Sequence, residues 1–580
     1  MKKKGFTLVE LLAVIAILAI LVIIAMPNVL DMFNKAKKDS FETEIRTIIK
    51  TVEKQWISDS MGKPGVNETI YCRVDGVDCE NSLKMDGNKE IDYFVKVNSK
   101  GKIIQLATVD DEYQYLSNKN DIKSSDEIIS ETLSDLEENQ KISISSFGVI
   151  INGKLINNGS SSITIKAGQV IEELNLCAFD SSDVTFNIEE GAIIKKVFVQ
   201  ENGECKEIEV NEWYKRVKPK NISTLSELKT AISSGYRNIV SIATLNITGS
   251  ESISSSYKIK ISTKDKITLF NISSGATLTL KNVIIDGKNN YIVTTKNSEN
   301  ISNNPFSTSV SNSRIYIKTP LIETSGTLIL NSGTVIKNYA NRESSTSSYG
   351  SPAINSTSGS ITINGLEFTN NISQLLVAKN TKVTIDNMNV HNTWTTGNKA
   401  GIIEIKSGSM MDVNNITVKN NIMSIRSYGL FIAASGTINM KGGIYENNYA
   451  TKNGSNTAGS LFGIEEAGKI YMTGGSIINN IGYRAGAFAT RWTSSGSIIE
   501  INGGIIKNNK TRNADFKNAS IFVQSDVKIG KNAIIEDKVV LRGATAVLDN
   551  YATINADVEL VNDTCTFNNY GTVTGQIIKP

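Results

Sequence analysis

One carboxylate near the start of the chain is out of keeping with its surroundings. Phe6 to Met26 form a 21-residue run that is apolar except for Thr7 and Glu10. A charged side chain inside an apolar membrane segment costs about 2.5–3.5 kcal/mol, so Glu10 needs a partner and a task. Elsewhere the groups able to do chemistry are scattered. Asp286, Asp386, Glu404 and Asp412 stand alone, Asp110 and Asp111 precede the repetitive part of the chain, and Glu465 and Glu466 are adjacent. Neighbours on a strand face opposite sides, so that last pair does not converge. Cleaving a polysaccharide needs clustered carboxylates, with Ca²⁺ or an Arg or Lys base in some lyases, or a close acidic pair for hydrolysis. No such cluster is written in the sequence, although stacked strands can bring distant acids together, so no catalytic residue and no cofactor are assigned. His391 is the sole histidine. That excludes a multi-His metal site within one chain and argues against a His triad, so no metal is assigned and His391 reads as a structural polar residue.

The elements that position these groups begin with the apolar run, whose length as a helix spans a bilayer core of about 30 Å. Lys2, Lys3 and Lys4 precede it and favour a cytoplasmic start. An ordinary secretory leader has a shorter apolar region and a small-residue cleavage site, and Ala25-Met26-Pro27 is a poor version of one. Formal charge is +3 and the charged fraction 21%, with both signs interspersed, so no specific nucleic-acid footprint is visible.

Directly after the lysines stands Gly5-Phe6-Thr7-Leu8-Val9-Glu10. This segment resembles the class III leader and N-terminal helix of type IV pilins and pseudopilins. The resemblance implies cleavage between Gly5 and Phe6 by a prepilin peptidase, N-methylation of the new Phe6 amine, and retention of the apolar segment in membrane lipid as a single pass. It also implies that Glu10 meets the N-terminal amine of a neighbouring pilin or pseudopilin subunit, which sets the assembly register. Pro27, 21 residues after Phe6, falls where such helices bend, and proline removes a helical hydrogen bond.

Beyond Pro27 an amphipathic arm is expected, because Phe41, Ile45, Ile48, Ile49, Val52 and Trp56 follow steps of three and four. The chain then divides into a leader (1–5), a membrane-spanning and amphipathic helix (6–57), a small pilin-like α+β region (58–140), a β module or spacer (141–216) and a large solenoid (217–580). Ile91–Val97 and Lys102–Thr108 read as a hairpin closed by Asn98-Ser99-Lys100-Gly101. The acidic stretch Asp110 to Glu138 reads as a short helix or a linker. Cys72 with Cys79, and Cys177 with Cys205, are candidate disulfides for an oxidising compartment, while Cys565 reads as a buried thiol.

From about residue 220 an internal repeat dominates. Gly275 to Gly287, Gly436 to Asn448 and Gly468 to Asn480 share one template of alternating apolar residues, a Gly or Asn corner, a second short strand and asparagine. The closing asparagines Asn338, Asn370, Asn392, Asn420, Asn447, Asn479 and Asn508 recur every 22 to 32 residues. One repeat cannot bury its apolar face alone, so coils must stack strand on strand. The fold class is therefore mainly β, with a right-handed parallel β-helix similar to pectate-lyase-like and adhesin solenoids. Thr224 and Glu227 fit a capping box that opens an N-terminal cap helix, and the repeated asparagines read as a hydrogen-bonding corner. Trp394, Tyr483 and Trp492 fall in inserts after those corners and are the candidate ligand-loop aromatics. The expected role is that of a minor or tip pilin presenting the β-helix to a glycan or host surface protein. The alternatives are a pseudopilin of a type II secretion or DNA-uptake machine and a membrane-tethered polysaccharide lyase.

Overall fold

Alternation of apolar and polar residues decides most of this molecule, because it is the pattern that a half-buried strand requires. The computed structural model describes residues 35–60, 69–74, 77–78, 81–84, 91–109, 113–116, 121–124, 140–145, 148–151, 154–157, 162–177, 185–201, 204–264, 267–287, 319–340, 351–395, 401–423, 429–450, 460–490, 496–511 and 519–580. The leader, Phe6, Glu10 and Pro27 lie outside the described residues. The chain divides into two compact units, Met1–Lys218 and Pro219–Pro580.

In the first unit residues 35–60 are helical, and the expected stripe is the buried one: Phe41, Ile45, Ile48 and Val52 are within 5% of full burial. They pack with Tyr71, Ile91, Tyr93, Val95, Val97 and Leu106, while Ile49 and Trp56 are partly buried at the same core. Each such side chain contributes about 1.5–3 kcal/mol by leaving water. Their partners lie on an antiparallel sheet ordered Val77–Asp78, Thr69–Val74, Asp92–Val97, Ile103–Val109, Tyr113–Leu116, Asp121–Ser124. The Asn98 side chain accepts from the amides of Lys100 and Lys102, both at 3.0 Å, and closes the turn. Gly101 there has φ +81°, and a Cβ on it would lie 2.5 Å from the Trp56 ring. The acidic stretch differs from expectation: Tyr113–Leu116 and Asp121–Ser124 are paired strands. Tyr113 and Tyr115, two apart, pack on the core, so period-two burial overrides the helix-forming composition.

Residues 140–217 add a second core around Ile171, Leu174, Val197 and Trp213. Here Ser162–Ile165 pairs in parallel with Thr185–Ile188, and Val170–Leu176 pairs in parallel with Val197–Glu201. Helix Val210–Val217 delivers Trp213, whose ring meets Phe186 edge-on at 5.2 Å. Cys177 and Cys205 form a disulfide with Cα atoms 5.2 Å apart. Cys72 is also disulfide-bonded, and Cys79 lies outside the described residues.

The second unit is a parallel β-helix. Among the described residues three parallel sheets run through it: a long one of 22 strands formed by two rows, one of 13 strands, and a short one of 5 strands. Register is kept from coil to coil, so Leu328, Ile361, Val383, Met411, Ile438, Ile470, Ile499, Val527, Leu548 and Phe567 form one column. This column belongs to a single continuous core. Phe431, Phe462 and Phe488 stack along it with centroids 5.2 and 5.3 Å apart. Strand Lys220–Ile222 and helix Leu225–Ser233 open the unit, and the helix buries Leu228 and Ala231 over the first coils. The Thr224 hydroxyl accepts from Glu227 N at 3.2 Å, and the Glu227 carboxylate accepts from the Thr224 amide at 3.2 Å. That capping box satisfies helix amides that would otherwise lack partners.

The asparagine corners divide two tasks between adjacent positions. Asn338, Asn370, Asn392, Asn420, Asn447, Asn479 and Asn508 all have φ between 50 and 58°, the left-handed region that asparagine tolerates. The buried hydrogen-bond ladder is built one residue later. Asn421 donates from N and Nδ2 to Asn448 Oδ1, Asn448 likewise to Asn480, and Asn480 likewise to Asn509, at 2.9–3.1 Å. Asn509 ends the row on Asp537 Oδ2 at 2.9 Å through both groups. Cys565 is free and half-buried, its thiol 3.1 Å from the Gly543 carbonyl.

Candidate functional site

Outward-facing residues of the solenoid are where a partner would be met, and the rungs pair them in a regular way. An asparagine amide from a later coil reaches the acid before it. Asn338 donates to Asp286 at 3.1 Å, Asn439 to Asp412 at 2.8 Å, Asn355 to Glu323 at 2.9 Å and Asn568 to Asp549 at 2.9 Å, and Asn414 donates to Asp386. The acids that stood alone in the sequence are thus bound into polar ladders between coils.

Glu404 is the acid whose setting differs. It is 8% exposed, accepts from Gln374 Nε2 at 3.3 Å and lies 3.5 Å from Lys406 Nζ. Burial pushes its carboxyl above the usual range, opposed by Lys406 and Gln374. Glu465, also buried, lies on the strand two rungs further on, and adds to the rise. Glu466 turns away in a left-handed conformation with φ 55° and accepts from the Ser435 hydroxyl. Among the described residues no group of three metal-ligating side chains gathers.

His391 is held from both ring nitrogens. Nε2 lies 3.1 Å from Glu367 Oε1, and Nδ1 lies 3.2 Å from the Thr369 hydroxyl of the preceding coil. The hydrogen bond from His391 holds the Glu367 carboxyl below its ordinary range.

The expected ligand-loop aromatics are placed otherwise than the sequence suggests. Trp394 is 5% exposed and sits in the short strand Trp394–Thr395, packed with Ala340, Ile372, Ile422 and Tyr449. It closes a satellite core and has no free face for a sugar, because its strand continues the coil where an open loop was expected. Tyr483 is partly buried against the main core, and Trp492 lies outside the described residues. Among the described residues the most exposed aromatics are a pair outside those inserts. Tyr551 and Tyr570 are 43% and 65% exposed, with rings stacked at 4.9 Å and 16°. Their signal in the sequence is an Asn-Tyr step at 550–551 recurring at 569–570, one coil apart.

Among known families, residues 1–26 match the prokaryotic N-terminal methylation motif. The chain carries a type IV pilin-like prepilin signal. No curated protein and no solved structure matches the chain. The motif supports a type IV pilin- or pseudopilin-like surface protein and implies membrane anchoring and surface assembly. It implies processing by prepilin peptidase and assembly with other pilin subunits. Among the described residues no helix is long and apolar enough to cross a membrane, and Phe6 to Met26 are not among them.

Proposed function

We propose that this chain is a minor or tip subunit of a pilin-like assembly and that its β-helix serves adhesion to a glycan or a surface protein, without enzymatic activity. The observation that carries this reading is the joining of a prepilin signal to a solenoid whose core runs unbroken from Ile222 to Leu560. A coil stack with one continuous core is stiff, and its outward ladders offer an extended surface to a partner. So large a head disfavours a major subunit, many copies of which must fit around a filament. Phe6 to Met26 would cross the membrane once, with Lys2, Lys3 and Lys4 on the cytoplasmic side. The amide-paired acids support a non-enzymatic role, since acids tied up in ladders are poorly placed to transfer protons.

Mass and N-terminal sequence of the mature protein test the delivery half: an N-methylated Phe6 is expected, and an intact Met1 or cleavage after Ala25 refutes it. Copurification with filaments, together with loss of surface attachment in a strain lacking the chain, tests the adhesion half. Loss of secretion or DNA uptake in that strain, with attachment unchanged, would instead assign a pseudopilin.

A further inference from the structure

The two ends of the β-helix are finished differently. Helix Leu225–Ser233 closes the first coils with Leu228 and Ala231 buried beneath it. On the last coil, strands Thr566–Asn569, Thr572–Val573 and Ile577–Ile578 each pair with the coil before. Among the described residues no strand pairs with their other side. The amides of Thr566, Thr572 and Thr574 donate back to the carbonyls of Ala546, Ala552 and Ile554. Alternation along a strand then turns the amides and carbonyls of Phe567 and Val573 to the open side. Open edges are ordinarily blunted by charge, proline or a bulge. This one is not: Thr564 to Ile578 carry no charge and no proline, and pairing with the coil before keeps its register. Apolar groups also reach the surface here, with Ile577 45% and Tyr570 65% exposed and Phe567 and Val573 only partly buried.

We propose that this edge docks on the same edge of a second copy of the chain, joining two β-helices end to end about a two-fold axis at Tyr570. Such an axis makes the meeting edge strands antiparallel. Centred on Tyr570, it sets Phe567 opposite Val573 of the second copy, Asn568 opposite Thr572 and Asn569 opposite Gly571, and the same pairs recur with the copies exchanged. Facing residues of an antiparallel pair lie on one side of the sheet. The register meets that demand, because Phe567 and Val573 both pack on the core, while Asn568 belongs to an outward ladder and Thr572 is exposed. Phe567 and Val573 fall on hydrogen-bonded positions. Tyr570, whose amide donates back to the Asn550 carbonyl, falls on a position without backbone bonds, where side chains come closest. The column in which Tyr551 and Tyr570 stack at 4.9 Å then runs on through the Tyr570 and Tyr551 of the second copy. An uncharged edge meets its own copy without the repulsion that an edge of one sign would feel. This inference rests on the adhesion reading and names its protein partner as the same chain borne by another cell.

The test uses the full-length protein in detergent micelles. Sedimentation is expected to show self-association of the wild type that Tyr570→Glu, which sets two carboxylates on the axis, weakens at least about tenfold, while Tyr570→Phe stays within about twofold. Mild oxidation is expected to join Tyr570→Cys copies into a covalent dimer above the wild-type background, and to leave Tyr551→Cys, one coil back on the same column, at that background. A monomeric wild type, equal association of Tyr570→Glu and wild type, or equal crosslinking at the two positions overturns the proposal and leaves the edge to a strand of a different protein. Clumping of cells that carry the chain separates the two readings. Deletion of the chain and Tyr570→Glu are both expected to abolish it. If deletion abolishes clumping but Tyr570→Glu does not, the end-to-end contact is wrong and adhesion stands. If deletion leaves clumping and surface attachment intact, the adhesion reading fails and takes the role of the contact with it.

Discussion

Asn479 and Asn480 are neighbours of identical chemistry, and the structure assigns them opposite sensitivities. Asn480 is fully buried. Its Oδ1 accepts from Asn448 N at 3.0 Å and Asn448 Nδ2 at 2.9 Å, and its Nδ2 donates to the carbonyls of Tyr445 and Ile478 and to Asn509 Oδ1 at 3.0–3.1 Å. Alanine there would orphan the Asn448 amide, at about 1–3 kcal/mol, and remove further buried hydrogen bonds at about 1 kcal/mol each. The expected loss is about 4–6 kcal/mol, at the extreme of single substitutions. Asn479 sits at φ 58°, a conformation glycine adopts without strain, so Asn479→Gly should change stability by less than about 1 kcal/mol. Native-state hydrogen exchange of the full-length protein reads the difference where it arises. In Asn480→Ala the amides around Asn448 should exchange about a thousandfold faster or more, and in Asn479→Gly by less than about tenfold. Equal effects of the two substitutions would refute the assignment of the ladder to the second asparagine.

Four further outcomes are expected. Asp537→Asn should raise the denaturation midpoint at pH 7, because an amide oxygen can still accept both Asn509 hydrogens without a buried charge. Burial holds the Asp537 carboxyl above its usual range despite those bonds, so the wild type loses stability as pH rises from the unfolded carboxyl's range through the raised one; the advantage of the variant should shrink on acidification below that window. Tyr445→Phe should stabilise the β-helix by about 1–3 kcal/mol in denaturant titration, since among the described residues the buried Tyr445 hydroxyl has no hydrogen-bond partner. Cys205→Ser should lower the stability of the first unit by about 2–4 kcal/mol by chemical denaturation, the usual cost of losing such a crosslink. Gly101→Ala should lower the melting temperature, as it puts a Cβ into the Trp56 ring at φ +81°.

Large parts of the architecture were legible because they rest on short-range regularities. The apolar stripe from Phe41 to Val52 is a helix periodicity that any packing partner must respect, and it is the stripe that is buried. The Thr224–Glu227 capping box is a four-residue interaction, complete in the local sequence. Repeats from Gly275 onward announce stacked coils, because a two-strand unit with one apolar face has no other way to bury it. Tyr113 and Tyr115 were less plain, since an acidic neighbourhood favours helix formers and only a core to pack on decides for strand.

Which of two consecutive asparagines turns the chain and which bonds to the next coil depends on a rung above and a rung below, and a sequence read along one dimension holds neither. The same holds for Trp394, buried by Ile372 and Ile422 on adjacent coils, and for Tyr551, whose ring stacks on Tyr570 of the next coil. Residues 1–26 needed no such context: a peptidase and a membrane act on a linear segment, so its order of charge, glycine, phenylalanine and glutamate is sufficient for delivery. The outward surface of the solenoid is made of columns that cross the chain at intervals of about a coil, and only stacking brings them into being.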